Sequence, residues 1–538
     1  MEDNLTISRA RAGLKNGDFS SVELTSYYLS RIDEGAGLNA YITVEPDKAI
    51  SAAQSADIRI AKGEDLALLG IPLAIKDLFC TKGTRTTSGS KMLHNFIPQY
   101  ESTVTQNLLD DGAIFLGKTN MDEFAMGSTN ITSYFGPCFL PFRKRSAPDS
   151  RLVPGGSSGG SATAVASDLC IAATGSDTGG SVRQPASLSG LVGVKPTYGL
   201  CSRWGMIAFG SSLDQAGPLT KNVEDAAILL GSMAGYDPKD STSENLSILD
   251  YTTFLDKPIN GLRIGIVKEF MEGLSSENIQ LIEKVCGWLR GSGCEVCDLS
   301  LKTIPFALPA YYIIAPAEAS SNLARFDGVR YGYRADDCQS IDDLFVRSRS
   351  EGFGEEVKRR ILTGTYVLSA GYYDAYYLRA LKVRKMIMDD FQQNAFSKVD
   401  LILTMTTPTP AFSIEESHNM TPVEMYLNDV FTVTANITGL PAISVPVALS
   451  DDGLPLGIQL IGNKFQEGQI FSVSSAIEKC ADFETLRKSI LYSSTKRIGG
   501  RSIAAQAPSC TERIAQAEHR GDEPANFLGV SMTDGGSM

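Results

Sequence analysis

Apolar residues recur at helical spacing in the N-terminal segment. Ser20-x-x-Glu23 is followed by Leu24, Tyr28, Leu29 and Ile32, a capping-box signature opening an amphipathic helix. From about residue 70 the pattern changes, and short apolar runs at 68–75, 113–116, 169–173 and 262–267 alternate with longer helical stretches. That alternation predicts an α/β sheet with helices on both faces. Two further strand-like runs come late, at 401–405 and 442–447, so strands from distant parts of the chain are expected to share one sheet. Residues 353–395 carry Arg, Lys, Tyr and Leu at helical spacing and read as a solvated helical hairpin over the core. No internal repeat is visible. The last segment turns polar and Ala/Ser/Gly-rich, and a loosely ordered tail is expected over 483–538.

Composition narrows the classes. With 538 residues, 43% of them hydrophobic, and 50 glycines, the chain is globular and long enough to bury a large core. Its net charge of −13 argues against a nucleic-acid contact made by this chain alone. Asp168, Lys195 and Glu318 interrupt the best apolar stretches, and the start lacks a basic and apolar leader, so a cytoplasmic protein with no membrane partner is expected. The ten cysteines are irregularly spaced, which suits free thiols in a reducing compartment. Cys294-x-x-Cys297 has neither a second pair nor a nearby histidine, so no metal is expected on it. Only His94, His418 and His519 are present, which nearly excludes chemistry needing several histidines.

Three local patterns are judged by context. Gly112 to Thr119 matches the phosphate-loop letters, but its apolar Ala-Ile-Phe-Leu lies where exposed amides should cradle phosphate. It reads as a buried strand ending in a turn. Gly155-Gly156-Ser157-Ser158-Gly159 matches the Gly-x-Ser-x-Gly elbow, yet residues 149–154 make a poor strand and no downstream histidine sits convincingly to serve Ser157. Ser88-Gly89-Ser90-Lys91 matches Ser-x-x-Lys without its companion Ser-Asp-Asn. If a serine is the nucleophile, lysine or carboxylate must replace the missing imidazole. Lys76 ends the apolar run 68–75, and two readings stay open for it: a desolvated base, or a strand-end lysine reaching solvent. The stretches 155–161 and 175–181 are glycine- and serine-rich with apolar flanks, which reads as backbone drawn closely around a site.

Taken together, Ile75-Lys76-Asp77, Pro154 to Ser161, Gly175 to Ala186 and Gly193-Val194-Lys195-Pro196-Thr197 resemble the amidase signature family in order and spacing. Lys118 to Ser128, Ser211 to Pro218, Glu318 to Gly328 and Phe353 to Ile361 further resemble its branch of glutaminase subunits of tRNA-dependent amidotransferases. The resemblance runs from residue 1 to about 482, and an amidase domain over 1–482 is expected.

The resemblance implies an α/β amidase signature fold, with a large mixed β-sheet between layers of helices. It makes Ser181 the nucleophile, Ser157 the serine that relays the proton and Lys76 the base. Thr178, Gly179 and Gly180 would form the oxyanion hole with the amide of Ser181. It places the substrate α-carboxylate on Arg360, chosen over Arg359, the α-amino group on Asp429, and Tyr312 on the pocket wall. Glutamine is the implied substrate. The implied partners are a B subunit, which uses ATP and Mg²⁺ on misacylated tRNA, and a small C subunit, in a heterotrimer; no cofactor or metal is expected on this chain. A free-standing amidase for a small or fatty carboxamide is the competing expectation.

Overall fold

The computed structural model describes residues 4–487 and residue 490. Eleven strands form one mixed sheet: β1 (Tyr41–Val44), β2 (Pro72–Lys76), β3 (Ile114–Thr119), β4 (Ala172–Asp177), β5 (Val192–Lys195), β6 (Gln215–Thr220), β7 (Arg263–Val267), β8 (Glu295–Leu299), β9 (Leu401–Met405), β10 (Ala442–Leu449) and β11 (Pro455–Gly462). Their spatial order is β1-β3-β2-β4-β6-β5-β10-β11-β9-β7-β8. β2 runs parallel to both β3 and β4, so the ends of β2 and β4 that carry Lys76 and Asp177 point the same way. Antiparallel pairing of β5 with β10 joins the two halves of the sheet across about 250 residues of chain. The six strand-like runs of the sequence all lie in this sheet.

The expected N-terminal helix is Ser21–Glu34, and its capping box is formed: Ser20 Oγ accepts from the Glu23 amide while Glu23 accepts from the Ser20 amide. The phosphate-loop match resolves as the strand reading requires. Gly112 turns the chain at φ +87°, β3 joins the parallel ladder, and Lys118 is buried with its Nζ donating to the Phe79 carbonyl at 2.6 Å and to Thr86 at 2.8 Å. Over 353–395 the chain forms helices Glu355–Val367 and Arg379–Asp390, both packed on helix Ala307–Asn322.

Packing continues past 482, the expected domain boundary. Phe483, Arg487 and Ile490 are buried, and Arg487 donates to the carbonyls of Gly190 and Lys221. The rest of the expected tail lies outside the described residues. The nine described cysteines are free thiols. Among the described residues, no helix is long and apolar enough to cross a membrane, and no group of three or more His, Cys, Asp or Glu could hold a metal ion.

Candidate functional site

The site forms where the parallel strands β2 and β4 end, the side of an α/β sheet where ligands bind. Lys76 is the last residue of β2, and its amide donates to Thr174 of β4 at 2.9 Å. Its side chain is fully buried rather than reaching solvent. The Nζ lies 2.8 Å from each of three hydroxyls, those of Ser157, Ser158 and Ser176. No carboxylate forms an ion pair with it among the described residues. Burial therefore dominates, and against the pull of Asp122, Asp177 and Asp214 it lowers the ammonium to about 7.

Ser157 follows a cis Gly156–Ser157 peptide bond, just ahead of helix Gly159–Ala166. Only glycine fits before it, because a Cβ on Gly156 would stand 2.0 Å from Asp122 Oδ2. Asp122 in turn accepts the Asn130 amide at 2.9 Å and the Thr132 hydroxyl at 2.8 Å, locking the neighbouring loop. Ser158 Oγ also contacts the Ser176 carbonyl at 3.3 Å. With its proton donated there, Ser158 can only accept from Lys76.

Ser181 sits in the turn between β4 and helix Arg183–Leu188. It is 8% exposed, whereas Ser157 and Lys76 have no exposed surface. Ser181 is thus the most exposed of the three. The turn winds around Asp177, whose carboxylate accepts the amides of Gly180 at 2.9 Å and Val182 at 3.2 Å. Arg183 closes the ring, with Nη2 at 2.8 Å from Oδ1 and Nε at 3.0 Å from Oδ2. Burial opposes the charge on Asp177, but Arg183 overcomes it and holds the carboxyl at about 2. The remaining Arg183 donors reach Thr432 O at 3.0 Å and Asn436 at 2.7 Å.

Within this winding the Gly180 amide donates to Asp177 Oδ1. Among the described residues, the amides of Thr178, Gly179 and Ser181 have no hydrogen-bond partner. Gly180 keeps a shaping role at φ +134°, where a Cβ would meet Thr432 Oγ1 at 2.2 Å. Asp214 holds Thr178 by its hydroxyl at 2.6 Å, and Thr432 holds the Gly179 carbonyl at 2.6 Å.

Beyond the turn two opposite charges, Arg360 and Asp429, are buried on either side of Tyr312. Arg360 is buried, with its Cζ 5.4 Å, 5.6 Å and 5.7 Å from the ring centroids of Phe209, Tyr312 and Tyr426. Arg359 is half exposed and pairs with Glu356, so the choice of Arg360 agrees with burial. Asp429 is buried and accepts from Ser128 Oγ at 2.9 Å and from the Tyr312 hydroxyl at 3.3 Å. Burial raises its carboxyl to about 7. Tyr312 therefore touches both charges, and it stacks on Tyr426 with centroids 3.9 Å apart.

Lys76 meets Ser157, the Ser158 amide donates to the Ser181 carbonyl, and Tyr312 lies against both Arg360 and Asp429. Sequence reading missed Ser176, Asp214, Thr432, Ser128 and Glu356. Ser176 lies inside a loop already marked by its glycines, and Glu356 stands four residues before Arg360, a spacing that pairs side chains on a helix. Ser128 and Asp214 lie inside the stretches Lys118 to Ser128 and Ser211 to Pro218 already marked by the resemblance, whereas Thr432 acts from a separate segment. Of the two downstream histidines, His418 is exposed on helix Ile414–Asn419, and His519 lies outside the described residues.

Known proteins resemble this chain in sequence and in fold. The amidase family model matches residues 23–471. The A subunit of the glutamyl-tRNA(Gln) amidotransferase of Xanthobacter autotrophicus is 57% identical over 478 residues, covering 89% of this chain and 96% of that protein. The crystal structure of the corresponding glutamyl-tRNA(Gln) amidotransferase polypeptide from Thermotoga maritima superposes with a TM-score of 0.70 at 39% identity, covering 88% of this chain and 94% of that one. The native peptide amidase of Stenotrophomonas maltophilia reaches 0.75 at 29% identity, covering 89% and 97%.

Proposed function

The chain belongs to the amidase family, and on that premise we propose that it is the glutamine-hydrolysing subunit of a tRNA-dependent amidotransferase. The observation that carries this reading is the placement of Arg360 and Asp429 against one ring, Tyr312. A guanidinium and a carboxylate held a ring apart suit the α-carboxylate and α-ammonium of an amino acid. A simple amide needs neither.

Neutral Lys76 draws the proton of Ser157, and Ser157 draws that of Ser181. Ser181 Oγ then bonds to the side-chain carboxamide carbon. The amides of Thr178, Gly179 and Ser181 stabilise the oxyanion in a site with little water. As the carbon–nitrogen bond breaks, the proton returns through Ser157 to the nitrogen and ammonia leaves. Water, deprotonated by the same lysine and serine, hydrolyses the acyl-enzyme to glutamate.

The ammonia serves conversion of Glu-tRNA(Gln) to Gln-tRNA(Gln), and of Asp-tRNA(Asn) to Asn-tRNA(Asn) where that substrate is presented. A B subunit holds ATP, Mg²⁺ and the tRNA, and a C subunit joins the two in a cytoplasmic heterotrimer. The net charge of −13 is consistent with leaving the tRNA contact to that partner.

Ammonia release from glutamine, measured beside a panel of aryl and fatty amides, tests the reading. Glutamine is expected to be preferred; preference for the other amides would overturn it. Ser181→Ala should abolish release while leaving the circular dichroism spectrum unchanged, and retained turnover would refute the nucleophile.

A further inference from the structure

We propose that Glu356 is a positioning residue that sets the direction in which Arg360 presents its guanidinium, and thereby selects substrates bearing an α-carboxylate. The inference rests on the reading of Arg360 as the α-carboxylate clamp. Glu356 lies in the first turn of helix Glu355–Val367, four residues before Arg360, and its Oε1 accepts from Arg360 Nε at 2.7 Å. The same carboxylate pairs with Arg359 on its solvent side and lies 3.4 Å from the Tyr426 hydroxyl.

A guanidinium offers a carboxylate two bidentate edges, one through Nε and one Nη, the other through both Nη. Here Glu356 occupies the Nε edge. Phe209, Tyr312 and Tyr426 restrict the plane, and among the described residues neither Nη group has a hydrogen-bond partner. One edge is left for a ligand carboxylate. Without Glu356 the Nε edge would compete for it and shift the bound substrate relative to Ser181. A fixed end-on fork therefore gives geometry as well as attraction.

The test compares kcat/KM for glutamine with kcat/KM for its α-carboxamide, using the full chain in its amidotransferase assembly. The carboxamide keeps the reacting group and the α-amine but lacks the carboxylate. Loss of a charged hydrogen bond predicts that Glu356→Leu lowers the glutamine-to-carboxamide ratio about tenfold. Glu356→Gln, which keeps an acceptor at the same reach, should restore most of the ratio, a rescue that a purely structural role would not produce. If Arg360→Ala lowers the ratio and Glu356→Leu does not, the inference is overturned. If Arg360→Ala leaves the ratio unchanged, the fault lies in the reading of Arg360 itself. Should Glu356→Leu not fold, Glu356→Asp, one methylene short of Nε, is expected to lower the ratio, and an unchanged ratio there would equally overturn the inference.

Discussion

At the scale of single residues, chemistry turns on how much water each group sees. Lys76, with no exposed surface and three hydroxyl partners, is held at about 7, so its neutral form grows as pH rises through neutrality. Asp429 is raised by burial to about 7 and becomes anionic over the same interval. Both changes favour glutamine turnover, so kcat/KM should climb with pH through about 7 and level above it. A pH–rate profile checks this. In Asp429→Asn the climb due to Lys76 should persist while KM for glutamine rises about tenfold or more; a profile flat across neutrality would contradict the base assignment. The apolar run before Lys76 left a desolvated base and a solvent-reaching lysine both open, and only its complete burial in the fold separates them. Ser181 was not separable from Ser157 by local pattern, since the elbow match falls on Ser157 and letters do not report burial. Arg360 has a local signal of its own: Val357, Arg360, Gly364 and Val367 are the buried set of their helix, and their spacing alone marks one face.

Elements reach the site by anchors from other elements. Helix Glu355–Val367 carries Glu356 and Arg360, yet its N-cap residue Gly354 has no side chain to receive the helix amides. Glu123, 231 residues away, accepts the Gly354 amide at 2.8 Å and the Ser90 hydroxyl at 2.5 Å. Phe353 packs edge-on against Phe124 beside it. Glu123→Ala should leave that buried amide without an acceptor and cost about 1–3 kcal/mol. Denaturant titration would read the loss, and faster hydrogen exchange at 354–358 would place it. Long-range anchors of this kind have no sequence signature. Strands were read unevenly for related reasons. The run 401–405 coincides with β9, but β6 contains Gly217-Pro218 inside the sheet, where proline argues against a strand. Its glycine is required because a Cβ on Gly217 would stand 1.9 Å from the Val194 carbonyl of β5. Close approach of two strands thus overrode propensity.

Over the whole molecule, the Asp177–Arg183 pair joins the two halves of the sheet. The pair is fully buried, and Arg183 reaches Thr432, Asn436 and Gln459 of the C-terminal half. Arg183→Met should strand Asp177 as an uncompensated buried charge and cost about 3–5 kcal/mol. Thermal denaturation would measure it, and a variant as stable as the parent would show that the pair does not couple the halves. The same hub has a consequence for biosynthesis. Arg183 and Gln459 are separated by 276 positions, so at about 5–20 residues per second the ribosome needs roughly 14–55 s between them. During that interval the nascent chain already holds Lys76, Ser157 and Ser181, while the turn bearing Ser181 still lacks the partners that fix it. The contacts that hold this turn are thereby deferred until translation has nearly finished.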